Sequence, residues 1–300
     1  MALLNPPELR PSIQLLIASY LATRHGQRAK EDRLIATLAP RGLGGADPDR
    51  DVRLNLQSAV DLGILRRDGE DIRLDPAMVT AVRGGPAAMI TTLRQHVLEP
   101  ALNGGAWGSQ TGARDLTNAL TWFLSFPAGK GPIVMEGPDR SAKELQELDF
   151  GPRQADLGDE DFGGWPINNS VRWRVFRQWA CSLGFAWVTP KGTLAADPTP
   201  AIRAALPAAF GGDWELAGQD FIGRLSRELP VLDRGAYRQF VEANWQRPAH
   251  ESSRLGEPLT DALERLKNSG DLTFADRADS ARVARSDGST FSHVTLGRRP

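Results

Sequence analysis

Apolar residues follow the helical period in three successive segments of the first 84 residues. They lie on one face of the runs SIQLLIASYLATRH and AKEDRLIATLA and of the segment 49–62, which predicts three helices. Asp47 and Pro48 form a favourable start for the third helix, because aspartate caps a helix and proline fits its first turn. Gly63 follows the last apolar position, where glycine commonly ends a helix.

The residues after the third helix have the pattern of a β-hairpin. Two short runs, 64–67 and 71–74, flank Asp68 and Gly69, and Asp-Gly between two such runs is typical of a hairpin turn. Three helices followed by a hairpin is the winged-helix arrangement, an elaboration of helix-turn-helix.

The same pattern returns in the centre of the chain. Helices are predicted over 89–102, 115–126 and 141–148 and in the run SVRWRVFRQWACSL, and a hairpin with its turn at Lys191 and Gly192 follows. Both copies end a helix on Leu-Gly and follow the hairpin with Asp-Pro, at 62–63 and 75–76 and again at 183–184 and 197–198. This similarity is a weak internal repeat of one supersecondary unit.

A third copy is predicted in the last ninety residues. Three helical runs, ELAGQDFIGRLSRELP, GAYRQFVEANWQ and LTDALERLKNSG, precede strand-like residues around Asp287 and Gly288. The sequence therefore predicts a mainly α fold with small β-hairpin wings, arranged as tandem winged-helix (helix-turn-helix) domains. We expect a first domain over 1–84, a second with a long loop insertion over 85–210, and a winged-helix-like C-terminal domain over 211–300.

The composition of the chain mainly excludes certain classes of protein and site. A net charge of −1 argues against a protein that coats nucleic acid indiscriminately, although a local basic face remains compatible with it. Cys181 is the only cysteine, which excludes an intramolecular disulfide and a cysteine-based zinc cluster. No segment approaches the ~18–20 uninterrupted apolar residues of a membrane helix. We expect a cytoplasmic protein that does not contact the membrane.

The sequence carries no recognisable catalytic or metal-binding motif. The histidines have no helical metal-site spacing; they are His25, His96, His250 and His293. The glycine-rich stretches 104–112 and 127–132 lack the spacing of a phosphate-binding loop. The acidic run at 156–161 is best explained as a solvated loop. We therefore expect no catalytic residues, no metal and no cofactor.

Basic residues on the third helices and the wings are the candidate DNA contacts. In winged-helix DNA-binding proteins the third helix enters the major groove, and arginines there hold phosphates or contact guanine edges. The candidates are Arg50, Arg53, Arg66, Arg67, Arg172, Arg174, Arg177 and Lys191. The alternative is that these side chains solvate outer helix faces and pair with acidic neighbours such as Asp49, Asp51 and Asp61.

Eight tryptophans accompany only two tyrosines. Three of them occupy predicted core positions: Trp122, Trp179 and Trp187. Three others fall in or near predicted loops, where they either anchor a partner or pack locally: Trp107, Trp165 and Trp245.

In layout the chain resembles the DpdG family, accessory components of bacterial 7-deazaguanine DNA-modification and restriction clusters. The resemblance lies in the opening SIQLLIASYLATRH, in AVDLGILRRDGEDIRLDP, in the central NNSVRWRVFRQWACSLGFAW with ADPTPAIRAAL, and in LTDALERLKNSGDLTFADRADS. It implies a non-catalytic subunit that works with a separate helicase or nuclease on foreign DNA. It assigns no site residues, because no catalytic motif anchors it.

These observations leave several functions open. The leading hypothesis is a DNA-binding or adaptor subunit of a bacterial genome-defence assembly, whose partners are DNA and other protein subunits such as a helicase, an ATPase or a nuclease. One alternative is a structural adaptor whose winged helices bind only proteins. Another is a winged-helix transcription regulator, which would be a two-fold dimer. An enzyme is the least favoured, since no nucleophile, base and orienting group can be assembled.

Overall fold

Helices dominate the computed structural model, and its strands are only two to four residues long. The structure describes residues 2–40, 47–105, 107, 112–127, 129–151, 165–247 and 253–297. The prediction of a mainly α fold with small β wings is confirmed. No helix in these ranges is long and apolar enough to span a lipid bilayer.

The described helices are α1 (Pro11–Ala22), α2 (Glu31–Leu38), α3 (Arg50–Asp61), α4 (Pro76–Gly84), α5 (Pro86–Val97), α6 (Arg114–Phe123), α7 (Ala142–Phe150), α8 (Ser170–Ser182), α9 (Thr199–Phe210), α10 (Gly218–Glu228), α11 (Ala236–Glu242) and α12 (Glu257–Asn268). The described strands are β1 (Arg28–Lys30), β2 (Leu65–Asp68), β3 (Asp71–Leu74), β4 (Ala186–Val188), β5 (Leu194–Ala196), β6 (Glu215–Ala217), β7 (Leu272–Ala275), β8 (Val283–Ala284), β9 (Thr290–Phe291) and β10 (His293–Leu296).

Contacts divide the chain into two units. Unit 1 comprises Met1–Leu116 and Val171–Leu183, and unit 2 comprises Thr117–Ser170 and Gly184–Pro300. The predicted boundaries at residues 84 and 210 concern domains that fold independently, and they stay predictions.

In unit 1 a third strand completes the predicted hairpin. The strand order is β1-β3-β2, all antiparallel, with β1 joining through the pair Arg28 and Arg73. Strand β1 is too short for its side-chain pattern to predict it. The pairing of Asp68 with Asp71 leaves Gly69 and Glu70 as the loop, one residue later than predicted. Gly69 has a φ of 63°, a conformation that glycine adopts without strain.

The core of unit 1 forms where the apolar faces of its short helices meet the sheet. Ile17 and Leu21 on α1, Leu34 on α2, Leu56 on α3 and Ile72 on β3 are almost fully buried. Their helical spacing on α1 explains why the helix lies against α3 and α4. The polar residues between them remain outward, so the sheet and α3 keep one exposed side.

Unit 2 contains a second set of elements with the same connectivity. The order α9, β6, α10, α12, β7, β10 repeats the order α1, β1, α2, α3, β2, β3, and the strand order β6-β10-β7 matches β1-β3-β2. Helix α11 is inserted before α12, and the hairpin β8–β9 is inserted before β10. We call these two sets the first repeat and the last repeat. The last repeat takes its first helix from α9, which precedes the predicted boundary at residue 210.

The central hairpin of unit 2 consists of β4 and β5, with no further strand among the described residues. Its turn contains Gly192 (φ 77°), next to the predicted Lys191. Trp187 on β4 is 48% exposed, so its prediction as a core residue is wrong. In contrast, Trp122 and Trp179 are fully buried as predicted.

A buried arginine closes the C-terminal end of α8 within unit 1. Arg94 on α5 is 3% exposed, and its Nη1 donates to the carbonyl oxygen of Leu183 at 2.9 Å. The last carbonyls of a helix have no partner inside the helix, so this donor satisfies one of them. Burial lowers the pKa of Arg94 to about 10, and the side chain remains protonated at neutral pH.

We expect Arg94→Met to lower the free energy of unfolding by about 1–3 kcal/mol, because it leaves the buried Leu183 carbonyl without a donor. Urea denaturation measures the change. Arg83→Met, at the exposed C-terminal end of α4, is the matched control and is expected to stay within about 0.5 kcal/mol of wild type. Equal effects of the two substitutions would contradict the structural role of Arg94.

Candidate nucleic-acid interface

Helix α3 presents one apolar face to the core and one polar face to solvent. Val52, Leu56 and Ala59 point inward and are buried. Asn55 is also buried, but both ends of its amide are satisfied, since it accepts from Arg10 N at 2.8 Å and donates to the Glu8 carbonyl at 2.8 Å. These contacts fix the rotation of the helix, and therefore which side chains it exposes.

The exposed side of α3 carries Arg50, Arg53 and Gln57. Their spacing of three and four residues places them on a single helix face. The side chains of Arg50 and Arg53 are 56% and 52% exposed. Arg50 lies 3.3 Å from Glu8, and Arg53 lies 3.1 Å from Asp47 and 2.9 Å from Asp49. Asp49 was one of the predicted acidic partners.

The two arginines of β2 pair with residues on different elements. Arg67 donates to Gln57 Oε1 at 2.9 Å and pairs with Glu31, so it joins the polar surface of α3. Arg66 pairs at 3.0 Å with Asp75, whose other oxygen caps α4 by accepting from the Ala77 N–H. We call the surface formed by Arg50, Arg53, Gln57 and Arg67 the α3–β2 face.

Every arginine of the α3–β2 face has a carboxylate partner. These ion pairs are exposed or half-buried, and exposed pairs contribute only about 0–1 kcal/mol because solvent screens them. A phosphate can therefore replace a carboxylate at little cost in stability. The pairing lowers the net charge of the face without fixing the guanidinium groups in place.

The second predicted cluster, on α8, is not uniform. Arg174 is exposed, Arg177 is half-buried and Lys191 is exposed near the tip of the central hairpin. Arg172 is only 3% exposed, and its Nη1 lies 3.9 Å from a fully buried Asp115 oxygen. Its assignment as a DNA contact is therefore corrected. The physical reason is its position on α8, three and seven residues before the buried Val175 and Trp179, which places it on the inner face.

Asp115 gathers several donors inside unit 1. Its carboxylate accepts the backbone N–H of Leu3 at 3.0 Å, of Leu4 at 2.7 Å and of Leu116 at 2.8 Å, and Arg172 lies beside it. Burial raises the pKa of Asp115, while the Leu4 N–H and Arg172 oppose the rise. Sequence patterns do not predict this group, because Leu3 and Leu4 lie more than a hundred residues before Asp115 in a segment without periodicity, and Arg172 lies on a different helix.

We expect Asp115→Ala to lower the free energy of unfolding by about 3–5 kcal/mol, because it leaves Arg172 as an uncompensated buried charge. The double variant Asp115→Ala/Arg172→Met is expected to be more stable than Asp115→Ala alone. Chemical denaturation of the two single variants and the double variant measures the coupling. Purely additive losses would show that the two groups do not interact.

A family model described as DpdG-like matches residues 1–280. No match to the chain was found among curated proteins or among solved structures. The match covers unit 1, the whole first repeat and the last repeat as far as β7, and it ends before β8. The resemblance seen in the sequence is thus confirmed, and the chain belongs to the DpdG-like family.

Proposed function

We propose that this chain is a non-catalytic subunit of a DNA-modification and defence assembly, built from tandem winged-helix domains, and that its α3–β2 face contacts DNA. Its membership of the DpdG-like family associates it with the Dpd modification and defence system. The observation that carries the proposal is the connectivity of the first repeat, together with the exposed arginines on its third helix and hairpin.

The connectivity supports the winged-helix assignment. In the first repeat the third helix, α3, is followed at once by the hairpin β2–β3, and β1 completes the sheet. Proteins of the helix-turn-helix class place the corresponding helix in the major groove and use flanking elements on the backbone. The last repeat has the same connectivity, which supports a tandem arrangement.

The chemistry of the α3–β2 face supports DNA contact. Arg50 and Arg53 share a helix face with Gln57, and Arg67 donates to Gln57 Oε1 at 2.9 Å. Guanidinium groups bind phosphates and release their counterions, and glutamine has the donor and acceptor that pair with an adenine edge. The carboxylate partners lower non-specific attraction, consistent with a protein of net charge −1.

The corresponding helix of the last repeat has carboxylates on one side and the exposed Arg265 and Lys267 in its last turn. Helix α12 carries Glu257, Asp261 and Glu264 on one partly exposed side, at spacings of four and three residues. These carboxylates would repel DNA phosphates. DNA contact is therefore assigned to the first repeat, and the last repeat is left to bind protein partners.

The chemistry of Cys181 and of the described metal-ligating side chains favours a non-catalytic role. Burial raises the pKa of the Cys181 thiol, which keeps it protonated and poorly nucleophilic at neutral pH. No three His, Cys, Asp or Glu side chains of the described residues are placed to hold a metal ion. The proposal accordingly leaves catalysis to another subunit.

We expect the protein to bind duplex DNA with a logarithmic salt dependence of slope about −3, one for each arginine of the face. The variant Arg50→Gln/Arg53→Gln/Arg67→Gln is expected to reduce that slope to near zero. Fluorescence anisotropy across a salt series measures both. The matched control is Arg24→Gln/Arg83→Gln/Arg227→Gln, three exposed arginines outside the face, which should bind like wild type.

Two outcomes would contradict DNA contact at this face. One is the absence of duplex binding at low salt by protein whose circular dichroism spectrum shows it to be folded. The other is an equal loss of binding in the control variant. The first outcome would favour an adaptor that binds only proteins, which the complete pairing of the arginines with carboxylates also supports.

A further inference from the structure

The central hairpin lacks a strand that both repeats possess. In the first repeat β1 lies beside β3, and in the last repeat β6 lies beside β10. The corresponding edge is that of β5, the second strand of the central hairpin, and no described strand lies there. A sheet edge without a partner strand exposes backbone hydrogen-bonding groups.

The register of the hairpin identifies these groups. The N–H of Thr189 donates to the Thr193 carbonyl at 2.8 Å, and the N–H of Asp197 donates to the Phe185 carbonyl at 3.0 Å. Hydrogen-bonded and non-bonded pairs alternate in an antiparallel hairpin. The N–H and C=O groups of Leu194 and Ala196 therefore point away from β4. Leu194 is only 4% exposed, whereas Ala196 is half-buried and is the more accessible of the two.

A groove of about 270 Å³ lies along the same hairpin in unit 2. Leu194 and Trp187 of the hairpin line it together with Phe126 and Ile133. The volume is below the ~300–1,000 Å³ of typical small-molecule sites, so the groove suits side chains of a peptide better than a cofactor.

The groove is basic as well as apolar. Arg140 and Arg265 both line it, and the described residues that line it include no carboxylate. Arg265 pairs with Asp197 at 2.8 Å. Arg140 lies 3.8 Å from the largely exposed Asp139, too far for a strong ion pair. The lining therefore complements a ligand that carries acidic side chains.

We propose that the edge of β5 and this groove bind an extended segment of a protein partner, which adds a third strand to the central hairpin. Apolar side chains of the segment enter the groove, and its acidic side chains reach Arg140 and Arg265. Strand addition of this kind takes affinity from main-chain hydrogen bonds and specificity from alternate side chains. The inference rests on the proposed adaptor role, but it does not require DNA contact.

Exposed apolar side chains on the hairpin support a binding role. Trp187 is 48% exposed and Val188 is 46% exposed. Tryptophan contributes strongly to binding free energy at protein interfaces, because burial of its large ring outweighs the conformational entropy that the side chain loses. Trp187 also lines the groove, and Val188 adds apolar surface on the opposite face of the hairpin.

The probe is a set of short synthetic peptides in which valine or isoleucine alternates with aspartate. One group of peptides begins with the apolar residue and the other with aspartate, and each is added to the full-length chain. Hydrogen exchange followed by NMR is expected to slow at the amides of Leu194 and Ala196 and to remain unchanged at Ala186 and Val188, on the outer edge of β4. Peptides with lysine in place of aspartate are expected not to bind. Unchanged exchange at Leu194 and Ala196 with every acidic peptide at millimolar concentration overturns the proposal.

Two pairs of variants locate the site. Ala196→Pro removes an outward N–H of β5 and Val188→Pro removes one of β4, and proline is tolerated where the N–H points out of the sheet. Arg140→Glu is compared with Arg227→Glu, an exposed arginine on α10. We expect Ala196→Pro and Arg140→Glu to bind the peptides at least about tenfold more weakly than wild type, a change of about 1.4 kcal/mol in binding free energy. Val188→Pro and Arg227→Glu are expected to bind like wild type.

Arg140→Glu keeps the test decisive if a proline variant does not fold. Binding by Arg140→Glu that equals wild type overturns the proposal. The variant Arg50→Gln/Arg53→Gln/Arg67→Gln is expected to bind the peptides normally. Failure of DNA contact and failure of strand addition are therefore measured separately.

Discussion

The buried carboxylate of Asp115 joins three parts of unit 1 that are far apart in sequence. It accepts hydrogen bonds from Leu3 and Leu4 in the N-terminal segment, lies at the start of α6, and compensates Arg172 on α8. Arg94 holds the other end of α8 through Leu183. Asp115 and Arg94 hydrogen-bond to defined partners and Arg172 lies 3.9 Å from Asp115, so both ends of α8 are tied to other elements of unit 1. The helix consequently belongs to unit 1, whereas the hairpin that follows it belongs to unit 2.

Two repeats with the same connectivity carry different surface chemistry. Helix α3 exposes arginines, whereas α12 carries carboxylates on its partly exposed side. Connectivity therefore cannot assign function by itself, and the assignment depends on the side chains each repeat exposes.

The carboxylate partners of the α3 arginines illustrate a second point. Exposed ion pairs add little stability, so they can adjust the charge of a surface while leaving its arginines available to phosphates.

The strands of the two repeats are so short that each three-stranded sheet depends on its third strand. β1 and β6 each contribute only three residues, yet they cover the edges of β3 and β10. The central hairpin keeps an uncovered edge beside a basic, apolar groove. Uncovered edges promote unwanted association and are usually protected. An edge that persists next to an exposed tryptophan is more simply explained as a binding surface.

The sequence by itself determined the helices, the hairpins and most turns, because helical periodicity, caps and glycine turns are local. The capping of α7 by Ser141 and the end of α8 at Gly184 follow from a few neighbouring residues. The tertiary structure alone decided which polar and aromatic side chains are covered. In the structure Arg172 is a buried partner of Asp115, and Trp187 is exposed. A periodic pattern defines the faces of a helix or strand, but the segments that cover those faces lie far away along the chain or are too short to show a pattern.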